Sequence, residues 1–459
     1  MAAERPEVGW TRGDNRRDPD LASPGPPETQ DQTRGGARTI PSVGDIARRP
    51  GVWAFLLATF LIQVAVSAQF TALGWRIATV TERGRIDLNL GLVGLAEFVP
   101  VALLVIVAGS VADRFDRRRV GATALTVEAV ASVGLTVVVT HRNFVIGAVL
   151  ALAFAYSVPR AFLNPALRSL APTMVAPSEL PRLNSLFIWA FQMGIIIGPV
   201  LGGFLYAVGP TWPFALSVAG FATAAPLLLL VRPLPQQRPS TVAETRLHAA
   251  VEGFRFIRGT PILLGAISLD LFAVLFGGAV ALLPVIAAER LHAGSIAFGW
   301  LKAVSGIGAA GTTAWLAVRP IRRHVGSALF AVVGVFGAAT IVLGVIEGDH
   351  FSAIRYGIAA LALFVLSAAD SVSVFIRSTI VPLVTPDRVR GRVAAVEQVF
   401  IGASNELGAA ESGLLGHALG TGPVVVLGGV MTLLVAGLWR MLFPSLRTLD
   451  RFPTRYTEG

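Results

Sequence analysis

The chain contains no cysteine among its 459 residues, and only 14% of its residues are charged. Without cysteine there is no disulfide framework, thiol nucleophile or cysteine metal site. A soluble globular protein carries about 25% charged residues, so most of this chain is not expected to face water. The six histidines are not closely spaced, so we predict neither a metal centre nor a cofactor. The absence of a Gly-x-x-x-x-Gly-Lys-Ser/Thr loop disfavours an ATP-driven pump.

Apolar segments long enough to cross a membrane account for most of the chain, which is 54% hydrophobic. A membrane-spanning helix needs about 20 apolar residues. Most of the candidate segments are rich in Gly and Ala, which permits close helix packing in lipid. We therefore predict an all-α polytopic membrane protein, not an enzyme, with no catalytic residues. Its twelve predicted spans are 53–78, 90–112, 121–140, 144–163, 184–208, 211–231, 261–288, 296–318, 327–346, 354–380, 393–418 and 422–443.

The arginines are concentrated in the gaps that follow even-numbered spans and in the C-terminal tail. The opposite gaps are short and nearly bare, apart from Arg83 and Arg85 in the first of them. The positive-inside rule then places both termini in the cytosol. We expect the protein in the cell (inner) membrane. This distribution also explains the net charge of +10 without a nucleic-acid partner. The arginines that set the orientation include Arg114, Arg117, Arg118, Arg119, Arg168, Arg182, Arg232, Arg319, Arg322, Arg388, Arg392 and Arg447.

The organisation of the chain follows from these spans. Residues 1–50 are charged and rich in Pro and Gly, and we predict a disordered cytoplasmic tail. The longest internal gap, 233–260, divides the spans into an N-terminal half, 51–232, and a C-terminal half, 261–443, followed by a tail, 444–459. Within the gap, apolar residues at helical spacing predict a surface helix on the inner membrane face. Six plus six spans are the layout of two pseudo-symmetric transporter halves.

The loop after span two carries the pattern Gly109-x-x-x-Asp113-Arg114-x-x-Arg117-Arg118. This pattern resembles motif A of the major facilitator superfamily, which implies that superfamily's fold. The resemblance implies that Asp113 locks the two halves together by accepting hydrogen bonds at the start of span eleven. That start includes Gly391 and Arg392, while Arg114, Arg117 and Arg118 would support the gate. In the alternative interpretation, the arginines only set the topology. Asp116 stands where the family has a second glycine.

Span five contains Gly194, Gly198, Pro199, Gly202 and Gly203. Glycines at i, i+4 and i+8 form a flat groove on one helix face, and Pro199 removes a backbone hydrogen bond there. The groove could be a generic packing face. The pattern also resembles motif C, which is associated with the superfamily's exporters.

A narrower resemblance covers spans four to eleven. It rests on the run from Arg160 through Asn164 and Pro165 to Pro172, and on Ser404-Asn405-Glu406 in span eleven. These residues resemble those of the exporter branch of the superfamily that includes the enterobactin exporter and multidrug efflux proteins. The branch implies export without settling the substrate.

Ionisable residues inside spans are costly, so each is a functional candidate. The proton-coupling candidates are Asp270 in span seven, Asp370 in span ten, Glu97 in span two and Glu406 in span eleven. The alternative is a structural acid, and Asp370 could pair with Arg377 seven residues later. We expect Glu128 in span three to pack against a neighbour.

Polar residues in several spans could supply substrate hydrogen bonds, although each alone is more often a helix–helix contact. Lys302, the only lysine in the chain, lies near the start of span eight, where snorkelling to the interface is expected. The candidates for lining a substrate cavity are Gln63, Ser67, Gln69, Gln192, Arg377 and Asn405.

The sequence favours a monomeric secondary transporter in the lipid bilayer that exports a small amphipathic molecule, such as a drug, siderophore or secondary metabolite. Transport would proceed by alternating access with proton antiport. Two alternatives stay open: an importer or symporter of the same fold, and a non-transporting membrane receptor or scaffold.

Overall fold

The computed structural model describes residues 43–141, 145–232 and 246–453, without the side chains of residues 43, 50, 83, 105–110, 112–114, 246–250 and 279. All of its regular secondary structure in these ranges is helical. Sixteen α-helices are described: α1 Val43–Ala47, α2 Pro50–Val80, α3 Ile86–Arg114, α4 Arg117–Thr140, α5 Ile146–Leu170, α6 Leu180–Val208, α7 Trp212–Leu229, α8 Arg246–Gly259, α9 Pro261–Phe276, α10 Leu283–Val285, α11 Ser295–Val318, α12 Val325–Val345, α13 Ala353–Val384, α14 Asp387–Leu419, α15 Thr421–Leu442 and α16 Pro444–Arg447.

Each predicted span except the seventh coincides with one helix of the structure, although most helices begin or end a few residues outside the apolar run. Ten segments of the described chain are long and apolar enough to cross a membrane. The other two predicted spans correspond to α11 and α14, of 24 and 33 residues. Both are long enough, but polar and charged residues interrupt them, so the count of twelve spans stays a prediction.

The helix pairings of the two halves repeat. Counting helices within each half, the first contacts the fifth and sixth, the second contacts the fourth, and the third contacts the fourth and sixth. In the N-terminal half these are α2–α6, α2–α7, α3–α5, α4–α5 and α4–α7; their counterparts are α9–α14, α9–α15, α11–α13, α12–α13 and α12–α15. The repetition is the internal similarity that the six-plus-six layout leads one to expect.

The two halves meet mainly through α3 with α14 and through α6 with α11, and less extensively through α2 with α10 and α11. Close approaches lie toward the end of the bundle that holds the turn 81–85 and Gly420, which we call the closed end. There a Cβ added to Gly91 of α3 would lie 3.0 Å from the Cα of Gly413 in α14. Nearby, the Thr421 hydroxyl donates to the buried carboxylate of Asp87 at 3.0 and 3.1 Å. The opposite end, which carries the loop after α3 and the start of α14, is called the arginine-rich end.

The seventh predicted span, 261–288, is not a continuous helix. α9 ends at Phe276, and a 3₁₀ segment (Gly278–Leu282), α10 and a π turn (Ile286–Arg290) follow. The break begins at two consecutive glycines, Gly277 and Gly278, and Pro284 cannot donate a backbone hydrogen bond beyond it. Gly278 also lies against α14, where an added Cβ would be 2.7 Å from the Ser412 hydroxyl oxygen. The broken segment therefore brings irregular backbone to the middle of the C-terminal half.

Residues 1–42 of the predicted N-terminal tail lie outside the described residues. Beyond it, five residues form α1, where Ile46 is fully buried. Arg49 donates two hydrogen bonds, of 2.9 and 2.8 Å, to the carboxylate of Glu179 between α5 and α6. These bonds hold the pKa of Glu179 below its usual value. The last residues before α2 are thus attached to the N-terminal half, although the sequence assigned them to the tail.

The surface helix predicted between the halves is α8. It packs against the start of α14 rather than only along the membrane face. Glu252 forms an ion pair with Arg392 and lies 3.9 Å from Arg388. Phe254 meets Phe400 edge-on at a centroid distance of 6.3 Å.

Candidate functional site

A cavity of about 510 Å³ lies between the two halves. The N-terminal half lines it with Gln63, Ser67 and Phe70 of α2, Arg160 of α5 and Gln192 of α6. The C-terminal half lines it from α11 and α13, with Lys302, Ser305, Gly306, Ser367 and Asp370. Because both halves contribute polar groups, a molecule bound here would contact both.

The predicted cavity residues Gln63, Ser67 and Gln192 are thus brought together. The amide of Gln63 donates to the Ser67 hydroxyl at 3.3 Å. The amide of Gln192 donates to the backbone carbonyl of Gly306 at 3.1 Å, and this bond joins α6 to α11 across the halves. Within the described residues neither amide oxygen accepts a hydrogen bond, so both remain for an occupant of the cavity. Gln69, in contrast, is buried and does not line this cavity.

A second cavity, of about 390 Å³, lies within the C-terminal half. Its walls include Asp270, Arg377 and Asn405, together with the broken segment after α9. Ser305, Ser367 and Asp370 line both cavities, so the two spaces adjoin at these side chains. Asp370 is therefore the acid that faces both spaces, and in the described part of the chain it has no ion-pair partner.

Arg377 forms ion pairs with two acids. It contacts Asp270 of α9, and its Nε lies 3.2 Å from Glu397 of α14. The sequence suggested Asp370 as the partner of Arg377, since both lie on one face of α13, but the structure pairs Arg377 with neighbouring helices instead. Glu397 was not singled out from the sequence. Asp270 and Arg377, at 7% and 3% exposed, form a buried network that connects α9, α13 and α14.

Two cationic side chains, Lys302 and Arg160, line the 510 Å³ cavity, which we call the main cavity. Neither was predicted to line it from the sequence. Lys302 lines the cavity instead of snorkelling to the interface, and its ammonium lies 5.7 Å from the ring centroid of Phe298. Arg160 was singled out only for the resemblance to the exporter branch, yet it lines the cavity, and its guanidinium donates to the Tyr156 hydroxyl at 3.3 Å. The signal that could have found them is that each lies within a predicted span rather than in a gap between spans.

Glu97 and Glu406 lie on opposite halves where α3 contacts α14. The carboxylate of Glu406 lies 3.7 Å from the position of a Cβ added to Gly94, one turn before Glu97. Glu97 interacts electrostatically with Glu406, Arg160 and Lys302. These two candidate acids therefore lie beside the main cavity without lining it.

The glycine groove predicted in span five lies on α6 and receives α2. A Cβ added to Gly194 or Gly198 would lie 2.5 Å from the Cβ of Gln63 or Ser67, respectively, and one at Gly202 would lie 2.7 Å from the carbonyl oxygen of Ala68. The helix continues through Pro199. The groove thus brings α2, which carries cavity residues, close to α6.

Gly203 faces in another direction, toward α11 of the other half. An added Cβ there would collide with the backbone of Ser295 and would lie 3.1 Å from the Cα of Gly299. From the other side of this contact, a Cβ added to Gly299 of α11 would collide with the carbonyl oxygen of Pro199 in α6. Pro199 and Gly203 therefore belong to the contact between the halves.

The structure describes only part of the motif that runs from Gly109 to Arg118 at the end of α3. α3 ends at Arg114, so that Asp113 is in its last turn, but the side chains of Gly109, Asp113 and Arg114 lie outside the described residues. Arg117 and Arg118 donate to the carbonyl oxygens of Ser169 and Val231, both at 3.0 Å. These bonds tie the start of α4 to the ends of α5 and α7.

Asp116, the departure from the family pattern, has its own role. Its carboxylate accepts the backbone N–H of Arg118 at 3.0 Å and so caps α4. The Arg118 side chain adds an ion pair at 2.8 Å, and these interactions lower the pKa of Asp116. Across the molecule, α14 begins at Asp387, close to Gly391 and Arg392. Within the described chain, no three His, Asp or Glu side chains are grouped as metal ligands.

Comparisons with a family model and with curated proteins agree on one family. The model of the Major Facilitator Superfamily matches residues 52–396. The enterobactin exporter EntS of Citrobacter koseri is 28% identical over 418 residues, which cover 88% of this chain and 94% of that protein. EntS of Escherichia coli is 27% identical over 423 residues, covering 89% of this chain and 96% of the relative.

Solved structures agree on the fold. A bacterial homologue of the human lysosomal transporter Spinster, in an inward-facing and unoccupied conformation, superposes with a TM-score of 0.66 at 16% identity, covering 90% of this chain and 100% of the other. A POT family transporter in complex with 5-aminolevulinic acid gives a TM-score of 0.69 at 11% identity, covering 89% and 99%. At these identities the likeness concerns the fold alone.

Proposed function

The chain belongs to the major facilitator superfamily, and on that premise we propose that it exports a small amphipathic molecule by alternating access in exchange for protons. The observation that carries the proposal is the 510 Å³ cavity lined by polar groups of both halves, beside two contacts that join those halves. The names of the relatives, enterobactin exporters, support export and favour a siderophore or a similar metabolite.

The proposed setting is a bacterial inner membrane, with both termini in the cytosol and the protein acting as a monomer. The arginine distribution supports this orientation. The arginine-rich end is then cytoplasmic, and the closed end faces outward. The conformation described here would be the one in which the cavity is accessible from the cytosol, where an exported molecule enters.

The decisive experiment compares a deletion strain with an overexpressing strain in a compound-accumulation screen. Export predicts at least one compound that accumulates several-fold more in the deletion strain. Everted membrane vesicles then test whether a proton gradient drives that compound inward. A compound taken up faster by the overexpressing strain would instead favour the importer, and the absence of movement in either direction would contradict transport of the compounds tested.

We propose Asp370 as the proton-binding residue in the cavity. It lines both cavities, whereas Asp270 is held by Arg377. The variant Asp370→Asn should lower proton-driven accumulation of the identified compound in everted vesicles at least tenfold. Exchange of labelled for unlabelled compound should persist, because substrate exchange without net movement needs no proton. Asp349→Asn, which alters an exposed acid, is the matched control. Proton-driven accumulation at the wild-type rate in Asp370→Asn would exclude this role.

We propose that Asp113 locks the state closed at the arginine-rich end by accepting N–H groups at the start of α14. Helix-terminus charges contribute up to about 2 kcal/mol in partly buried sites. Asp113→Asn should therefore shift the equilibrium about tenfold toward the state open at the arginine-rich end. The chain lacks cysteine, so spin labels at Ser178→Cys and Arg322→Cys, exposed on loops of opposite halves, report this opening without background. A label distance distribution unchanged from that of the wild type would contradict the lock.

A further inference from the structure

Glu128 of α4 is fully buried, and neither of its carboxyl oxygens has a hydrogen-bond partner in the described part of the chain. The hydroxyl of Ser132, one turn further along the helix, is buried and unpartnered as well. From the sequence, we expected Glu128 only to pack against a neighbour. A buried ionised carboxylate without a partner is strongly unfavourable, so this side chain is not explained by packing.

The surroundings of Glu128 follow from the packing of α4 on α5. A Cβ added to Gly121 would lie 3.8 Å from Leu163, and one added to Gly134 would lie 2.8 Å from Leu152. The two helices are antiparallel, so Glu128, midway between these glycines, lies level with the stretch between Tyr156 and Arg160.

Among the described residues, few charged or titratable groups reach this position. α5 presents Tyr156, which is buried, and Arg160, whose guanidinium carbon lies 6.0 Å from the Tyr156 ring centroid. α7, which also packs on α4, contains no charged residue. On α3, Glu97 interacts electrostatically with Arg160 and Tyr156. Arg160 interacts electrostatically with Glu128 but forms no ion pair with it.

We propose that Glu128 is a second proton-binding residue of the exchange cycle, outside the cavity, and that Arg160 controls the release of its proton. In the conformation described here the Glu128 carboxyl is neutral, and Arg160 faces the cavity. A molecule that fills the cavity displaces the guanidinium toward Glu128. The carboxyl O–H bond then breaks, the proton passes to water in the cavity, and the carboxylate pairs with Arg160.

This inference rests on the proposed function, since it describes how occupation of the cavity and proton release are linked. The direction of the coupling also restricts the substrate. A neutral or cationic molecule would displace Arg160 and release the proton, which is antiport. An anionic group would hold Arg160 in the cavity and retain the proton on Glu128.

The test uses the full-length protein in lipid nanodiscs, labelled at Ser178→Cys and Arg322→Cys, without added substrate. The wild type should change its label distance distribution with pH. Part of this pH-dependent change should survive in Asp370→Asn. That same part should be lost in Glu128→Gln. In Arg160→Gln the midpoint of that part should move to higher pH, because the cation that stabilises the carboxylate is gone, and Arg160→Lys should restore it. Ser132→Ala, which leaves the carboxyl in place, serves as the matched control.

Each result decides between the assignments. If the label distances of Glu128→Gln change with pH as those of the wild type do, Glu128 does not have this role. The same follows if Asp370→Asn alone removes all pH dependence. Either result leaves proton-coupled export intact. A wild type without any pH response, together with vesicles that show no proton-driven movement of the compound, would overturn the proposed antiport itself. If Glu128→Gln does not fold, an unshifted midpoint in Arg160→Gln overturns the inference.

Discussion

Replacing Gly203 with valine should shift the protein away from the conformation described here and reduce transport at least tenfold. A Cβ at this position would collide with the backbone of Ser295 and press on Gly299 at 3.1 Å. The obstacle is backbone, which cannot rotate away as a flexible side chain would. Overpacking of this kind costs about 1–3 kcal/mol. Since α6 and α11 belong to opposite halves, this cost falls on the state in which they touch at the closed end.

The direction of the shift distinguishes a conformational effect from general damage. With labels at Ser178→Cys and Arg322→Cys, Gly203→Val should increase the population with the shorter distance, as the arginine-rich end closes. The free-energy cost corresponds to a shift of about 5- to 150-fold. This is opposite to the shift expected for Asp113→Asn, so the two variants test alternating access from both sides.

Two glycines provide matched controls for Gly203. Gly202, its neighbour, faces Ala68 within the same half, so Gly202→Val should lower thermal stability without favouring either state. Gly311 lies on α11 with no atom within 4 Å of an added Cβ, so Gly311→Val should leave both stability and distances close to wild type. If Gly203→Val behaves like Gly202→Val, α6 and α11 do not form a contact that opens during transport.

Much of the fold could be predicted from the sequence because the membrane imposes simple rules. Length and apolarity located the helices, and the spacing of glycines in α6 predicted a packing groove that the structure fills with α2. The interruption after Phe276 was missed, because the apolar run continues through Gly277 and Gly278 and hydropathy does not register backbone geometry. The attachment of α8 to α14 was missed for another reason: it depends on the pairing of Glu252 with Arg392, which are 140 residues apart.

The candidate site was less predictable because helical periodicity gives the face of a helix but not the helix opposite it. Asp370 and Arg377 share a face of α13, which made them a plausible pair. In the structure Arg377 reaches Asp270 and Glu397 on other helices, and this leaves Asp370 facing the cavities. Lys302 and Glu128 illustrate the same limit, since one lines the cavity and the other lies buried between α4 and α5.

The Arg377 network leads to the second large effect. Arg377→Gln should lower the free energy of unfolding by about 3–5 kcal/mol, because removing one partner leaves the other buried charges uncompensated. Here two carboxylates, of Asp270 and Glu397, would lose the same cation. The loss should appear as a lower midpoint of thermal or denaturant unfolding of the purified protein in detergent.

A charge-balanced variant separates this network from the effect of losing a large side chain. Arg377→Gln combined with Asp270→Asn removes one cation and one of its acids, so part of the stability should return, as expected for residues in direct contact. Arg355→Gln is the control for loss of an arginine, since within the described residues Arg355 donates only to backbone carbonyls at the end of the bundle. If the double variant were as unstable as the sum of the two single variants, Arg377 and Asp270 would not act as a pair. Asp270 would then return as a candidate for proton binding beside Asp370.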